Sequence, residues 1–215
     1  GERVLMVVKD CPEFIYAFFG AIKAGVVPVP VNTMVRVADY QYLIEDSGCA
    51  ALIHSPEFRD LVTKSLTAVA HKPSKILTTE ELSAQMATES PQLAPAPATA
   101  DTVCFWLYSS GSTGNPKGVV YHHRGAYLMT MGTVVSWRMV MRPVFMQIVP
   151  LFHCNGWNHT WMMPLLGGTL VCCRDITAAA IYDAIADEGV THFGGAPIVL
   201  NMMVNATEAE RRAFD

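Results

Sequence analysis

Short continuous apolar runs alternate along the chain with longer stretches in which apolar residues return every three or four positions, the patterns of buried strands and core-facing helices. Residues 3–8 form the first apolar run. Residues 12–24 follow with Phe14, Ile15, Phe18, Phe19 and Ile22 at helical spacing, closed by Gly25 as a C-terminal cap. Residues 26–31 are apolar but interrupted by Pro28 and Pro30, which predicts an edge or irregular strand because proline cannot donate to a sheet ladder. A helix over 39–46, a strand over 50–53, a helix over 57–70 and a strand over 75–77 continue the alternation. Repeated βαβ order requires parallel sheets flanked by helices, so the expected fold class is α/β.

Residues 89–101 break this rhythm. They are rich in Pro, Ala, Thr and Ser and have no apolar face, so they read as a linker or a long surface crossing. The expected organisation is a first α/β subdomain over residues 1–90, a crossing over 91–101 and a second α/β portion over 102–215. In the second portion a strand at 103–108, a loop of small residues and a strand at 119–121 precede a long helix over 124–141. Then come a strand at 145–149, a loop at 150–157, a helix at 159–166, a strand at 169–173 and a helix at 178–188. A strand at 191–193, a helix at 196–204 and the start of another helix at Thr207 complete the pattern.

With 215 residues, 51% hydrophobic and 16% charged, the chain can bury a sizeable core and lacks the polarity of a disordered segment. The best candidate for a membrane span, residues 139–152, is cut by Arg142, Pro143, Gln147 and Pro150, whereas a transmembrane helix needs about 18–20 apolar residues. The apolar excess fits a sheet buried on both faces, or a chain cut from a longer one whose other parts cover apolar surface. The start directly on a strand, without a charged and then apolar leader, agrees with such a cut. A net charge of −4 with no cluster of Lys or Arg argues against nucleic acid as the main partner. The six cysteines show no C-x-x-C spacing and lie mostly in apolar runs, which points to a reducing, cytoplasmic setting.

The candidate chemistry concentrates in residues 108–118, YSSGSTGNPKG. Ser110, Gly111, Ser112, Thr113 and Gly114 leave backbone N–H groups sterically open and add three hydroxyls, a donor set suited to wrapping a polyanion, and Lys117 supplies a fixed positive charge. A Walker A loop is excluded by spacing: Pro116 stands where its second glycine belongs, and Lys117 is followed by Gly118 and a β-branched strand instead of a helix. The bland alternative is a flexible turn of no function. His153, between an aromatic residue and a cysteine in a loop after a strand, could by itself be an ordinary packed histidine. His122, His123, His153, Cys154 and His159 repeat no zinc-site spacing.

Residues 108–118 resemble the phosphate-binding signature of the adenylate-forming superfamily, which includes acyl-CoA and aryl-CoA synthetases, the adenylation domains of peptide synthetases, and luciferases. The segment PLFHCNGW, residues 150–157, is similar to that family's aromatic-histidine segment beside the acyl pocket. FHCNGW with Gly194, Gly195, Ala196 and Pro197 downstream looks most like short- and medium-chain acyl-CoA synthetases, and GAIKAGVVPVPVNT and DYQYLIEDS resemble benzoate-type ligases. The resemblance covers essentially the whole chain and implies part of the large N-terminal domain of that fold. The family's Tyr-Gly-x-Thr-Glu block with its Mg²⁺-binding Glu, its ribose-binding Asp, its hinge and its C-terminal domain with the catalytic Lys would lie beyond these residues, as would an N-terminal portion.

The resemblance implies a two-step reaction: a carboxylate attacks the α-phosphate of MgATP to give an acyl-adenylate and pyrophosphate, and the thiol of CoA then displaces AMP. It assigns ATP phosphate binding to Ser109, Ser110, Gly111, Ser112, Thr113, Gly114, Asn115, Pro116 and Lys117, with Lys117 catalytic. It assigns the acyl pocket to His153, Asn155, Gly156, Trp157 and Gly195, with Trp157 equally readable as core. The implied partners are a short- or medium-chain fatty or aromatic carboxylic acid, ATP, Mg²⁺ and CoA, with no metal ligand set within these residues; an oligomer is compatible with the sequence. Two readings stand beside this one: an adenylation module that loads a carrier protein, and a non-catalytic nucleotide-binding fragment.

Overall fold

A computed structural model describes residues 1–109 and 114–214 of the chain. They form two compact units, Gly1–Ala126 and Tyr127–Asp215. The division falls inside a helix and not at the proline-rich crossing. That crossing is fastened to the first unit, where the Ala96 N–H donates to Lys23 O (2.8 Å), the Arg124 N–H donates to Ala100 O (2.8 Å) and the Arg124 guanidinium pairs with Asp101 at 2.9 Å.

In the first unit, β1 (Arg3–Val7), β2 (Val27–Pro30), β3 (Ala51–His54) and β4 (Lys75–Thr78) form a parallel sheet in the order β2-β1-β3-β4. Proline-interrupted β2 lies at its edge, as its two missing donors require. Helices α1 (Pro12–Lys23), α2 (Val37–Ser47), α3 (Arg59–Leu66) and α4 (Thr79–Met86) connect and follow these strands. Helix α4 has no counterpart in the expectations above, although Thr78 and Glu81 cap each other's backbone N–H groups as a Thr-x-x-Glu box. Strands β5 (Val103–Ser109) and β6 (Lys117–His122) pair as an antiparallel hairpin, with Ser109 opposite Lys117.

The period of two in β5 sorts its side chains. Phe105 turns toward Phe18 of α1 (ring centroids 5.4 Å apart) and stacks on Tyr121 of β6 at 4.5 Å. Trp106 and Tyr108 pack instead against the core of Leu5, Val29, Tyr40, Leu43, Ile44 and Leu52. Burying Phe14 and Phe18 contributes roughly 1.5–3 kcal/mol each.

The first helix to reach the second unit is α5 (His123–Ser136); Trp137–Met141 do not extend it to the expected 141, and Arg138 and Arg142 adopt left-handed φ values of 51° and 56°. Strand β7 (Val144–Gln147) is the middle of a parallel sheet with β8 (Thr169–Cys172) and β9 (His192–Phe193), surrounded by α6 (His159–Leu166), α7 (Ala178–Glu188) and α8 (Pro197–Val204). Alternation divides β7 as well. Phe145 packs with Met162, Met163 and Leu166 of α6, while Met146 and Ile148 pack with Ile181 of α7. Beyond α8, residues 208–210 make a turn and no helix; the Glu210 carboxylate accepts from the Thr207 N–H and hydroxyl at 2.8 and 2.7 Å. No described helix is long and apolar enough to cross a membrane.

Candidate functional site

Of the motif residues 108–118, Tyr108 and Ser109 close β5, and Lys117 and Gly118 open β6. Ser110, Gly111, Ser112 and Thr113 lie outside the described residues. Of the rest, Ser109 ends β5, its hydroxyl donating to Lys117 O at 3.4 Å, and Lys117 begins β6 with its side chain exposed. Asn115 is exposed and Pro116 half-buried. Gly114 takes φ +98°, a region that side chains with a Cβ rarely adopt, and no atom of the described residues lies within 4 Å of where a Cβ would sit. Gly118 is required for a different reason: a Cβ there would lie 1.9–2.2 Å from the indole of Trp106, which crosses it from the neighbouring strand.

The flanks are also held from outside the hairpin. The Tyr108 hydroxyl donates to Asp46 Oδ2 at 2.6 Å, and the Tyr42 hydroxyl lies 3.2 Å from Asp46 Oδ1 and 3.0 Å from Pro116 O. Burial, and then the Asp46 carboxylate, raises both phenols above their ordinary pKa. Both therefore act as hydroxyl donors at neutral pH.

In the second unit the loop 150–157 leaves the carboxyl end of β7, and Gly195 lies just beyond the carboxyl end of β9. Ligands of open α/β sheets bind on this edge. His153, Cys154 and Asn155 are exposed at the loop tip, while Gly156 and Trp157 are buried. The His153 N–H donates to Pro150 O (2.9 Å) and the Gly156 N–H to His153 O (2.8 Å). His153 Nδ1 accepts from the Asn155 N–H at 3.1 Å, so a neutral His153 carries its proton on Nε2. Gly156 permits a close crossing of chain, since a Cβ there would lie 2.0 Å from Pro150 O and 2.8 Å from Val149 O. Gly195 faces Val199 and Ile148.

The residues that fasten this loop were not singled out by the sequence. Gln147 ends β7 on the same face as Phe145. Its Nε2 donates to Val149 O and to Gly156 O (3.3 Å), bracketing the loop, and its Oε1 lies 3.2 Å from His159 Nδ1. His159 is 2% exposed, stacked on Phe145 at 4.2 Å with Trp137 at 5.6 Å. Burial lowers its pKa to about 4, partly opposed by a hydrogen bond with the Gly156 backbone, so it is neutral and donates from Nδ1 to Gln147. Next to it, Asn158 Oδ1 accepts from Thr130 and Asn158 Nδ2 donates to Thr133 of α5, both at 2.9 Å. Buried polar residues at the end of a strand were the available signal, because a buried Gln, Asn or His needs partners.

Among the described residues no group of three or more His, Cys, Asp or Glu could hold a metal ion. His122 Nδ1 accepts from the Gly125 N–H at 2.8 Å. A cavity of about 360 Å³ in the first unit, lined by Ile22, Val27, Ala96, Ala98, Thr102 and His123 among others, includes none of the predicted site residues.

The sequence profile of AMP-binding enzymes matches residues 1–215. An acetate–CoA ligase of Humulus lupulus is 33% identical over 98% of this chain and 41% of its own length. A peroxisomal trans-cinnamate:CoA ligase of Petunia hybrida is 49% identical over 105 residues, 49% of this chain and 18% of its own. Among solved structures, the inhibitor-bound N-terminal domain of FACL13 from Mycobacterium tuberculosis superposes with a TM-score of 0.90 at 25% identity, over 97% of this chain and 53% of that one. The chain thus spans about two-fifths of the hop relative's length.

Proposed function

We propose, from the premise that this chain belongs to the family of AMP-binding enzymes, that it forms the phosphate-binding and acyl-pocket portion of an AMP-forming acid–thiol ligase. The observation that carries the reading is the coincidence of a whole-chain family match with a stretch of small residues in the sequence whose flanks, Ser109 and Lys117, pair as antiparallel strands. In the first step the oxygen of a carboxylate attacks the α-phosphorus of ATP, the bond to the bridging oxygen breaks, and pyrophosphate leaves. In the second the sulfur of CoA attacks the acyl carbon and AMP leaves.

The chain's own residues serve the first step as hydrogen-bond donors and one positive charge. Backbone N–H groups and hydroxyls between Ser109 and Lys117, with the Lys117 ammonium, suit the charge that grows on the departing phosphates, and donors held in place cost no reorganisation during reaction. Mg²⁺ bound with the nucleotide neutralises phosphate charge; the donor set here suits phosphate oxygens and offers no carboxylate to a metal. His153 has a positioning role at the acyl pocket together with Asn155, Gly156, Trp157 and Gly195. No general base is needed, because a carboxylate is already ionised at neutral pH.

Relatives named for acetate and trans-cinnamate support a short-chain or aromatic acid, and CoA as acceptor. A single methylene shifts discrimination by only about 1–3 kcal/mol, so the acid is best identified by a panel. The composition favours the cytoplasm, and the petunia relative is named as peroxisomal. The test is AMP release by the protein containing this chain, across aliphatic and aromatic acids, with and without CoA. Acid- and CoA-dependent AMP release is expected; release that requires a carrier protein would move the function to an adenylation module. The 215 residues alone are expected to make no acyl-adenylate.

A further inference from the structure

Two hydroxyls from different parts of the first unit converge on one carboxylate. Tyr108, the penultimate residue of β5, reaches Asp46 Oδ2 at 2.6 Å; Tyr42, one helical turn before Asp46 on the same face of α2, lies between Asp46 Oδ1 and Pro116 O. In sequence Tyr108 precedes the Ser/Gly/Thr stretch 109–114 and Pro116 follows it after Asn115, so the cluster ties down both flanks of that stretch. The Tyr42 proton is shared between Oδ1 and the Pro116 carbonyl as a three-centre bond. Only a carboxylate presents two acceptor oxygens to two phenols at once, and its bonds are charge-assisted.

The support is rigid. Tyr40, Leu43, Ile44 and Ser47 of α2 are buried, Tyr40 and Ile44 at 1% exposure, and the Tyr40 hydroxyl donates to Asn32 O at 2.9 Å. Trp106 stacks on Tyr108 with ring centroids 5.6 Å apart and approaches Gly118 closely, which fixes the phenol from the hairpin side. Hydrophobic burial explains why Tyr40 and Trp106 stand where they do. It does not explain an exposed carboxylate at Asp46 that serves two tyrosines.

On the reading of residues 109–117 as a phosphate loop, we propose that Asp46 is a positioning residue for the nucleotide, acting through Tyr108 and Tyr42 to hold both ends of that loop before ATP binds. Donors aimed at developing charge act only if they are in place beforehand, and a displacement of about 1 Å at a reacting group can cost about 10²-fold in rate.

The experiment compares wild type, Asp46→Ala, Asp46→Asn, Tyr108→Phe and the double variant Asp46→Ala/Tyr108→Phe in the protein that contains this chain. Two readouts are taken: hydrogen exchange of the amides of Gly114, Asn115 and Lys117, and acid-dependent ATP–pyrophosphate exchange. In Asp46→Ala the loop amides should exchange at least about tenfold faster while those of β1 keep their protection. The kcat/KM for ATP should fall about 10–100-fold with the KM for the acid unchanged within about twofold. Asp46→Asn should recover part of the loss, and the double variant should be no worse than the poorer single one. Unchanged loop amides overturn the proposal, as do equal losses toward ATP and the acid or additive losses in the double variant. Absence of pyrophosphate exchange in wild type with every acid would instead refute the ligase reading, and the loop amides alone would then decide whether Asp46 holds the turn.

Discussion

Gln147 Oε1 and His159 Nδ1 lie 3.2 Å apart in the interior of the second unit, and the same Gln147 amide reaches both Val149 O and Gly156 O at the two ends of the loop carrying His153. The loop is thus fastened by a side chain whose orientation depends on a neutral histidine. Protonating His159 would place an unpaired cation against Phe145 and Trp137, which is why burial lowers its pKa.

The pH dependence has a definite sign. The folded value of about 4 lies below the ordinary 6.5, so the unfolded chain binds the extra proton first; the stabilisation is complete above about pH 6.5 and is lost as pH falls toward 4. Its size is on the order of 3 kcal/mol. Denaturant unfolding followed from pH 7.5 to 4 should show this loss. In His159→Phe the slope should flatten, while stability at pH 7.5 falls by about 1–3 kcal/mol because Gln147 Oε1 loses its donor. An unchanged acid slope in that variant would contradict the assignment.

Gly156 tests the loop from its backbone. A methyl group there would meet the Pro150 carbonyl oxygen at 2.0 Å, and that atom belongs to the chain and cannot rotate away. Gly156→Ala should therefore open the crossing, break the Gln147 bond to Gly156 O, and cost about 1–3 kcal/mol. It should also raise the KM for the acid more than that for ATP. A crystal structure of the variant with the loop unchanged would be the contrary outcome.

How much of this was legible in the sequence depends on the range of the interaction. The helical spacing of Phe14 and Phe18 is local, and the structure buries both on one face of α1. The two strands β5 and β6 were visible as well, on either side of a stretch of small residues, but their antiparallel pairing was not. Helix α4 carried its own signal in Thr78 and Glu81, but a polar eight-residue helix has little apolar periodicity to detect. The expected helix over 124–141 overran the observed end of α5, because the chain turns at Arg138 through a left-handed backbone that hydrophobic spacing does not reveal. The two clamps were illegible for a plainer reason: Asp46 and Tyr108 are 62 positions apart, and Gln147 and His159 twelve, with no periodicity connecting either pair.

Trp106 and Gly118 give a packing test of the hairpin. The indole covers Gly118 so closely that Gly118→Ala must displace it, at about 1–3 kcal/mol. Trp106→Phe should cost less on its own than a buried Trp→Ala truncation, and the double variant Trp106→Phe/Gly118→Ala should recover part of the alanine penalty, because the smaller ring leaves room for the methyl group. Strict additivity in denaturant unfolding would show that the strain lies elsewhere.

On the proposed function, substitution of Lys117 distinguishes binding of the acid from activation of it. Its side chain is exposed at the first position of β6, opposite Ser109, where it forms little of the core, so Lys117→Ala should leave the unfolding midpoint nearly unchanged. Removing one fixed charge from developing phosphate charge should slow acid-dependent ATP–pyrophosphate exchange by about 10²–10³-fold, with the KM for the carboxylic acid much less affected. Lys117→Arg keeps the charge and changes its shape, so it should restore part of the rate if the requirement is electrostatic. Wild-type exchange in Lys117→Ala would remove the triphosphate from this hairpin and leave the turn as a structural connection only.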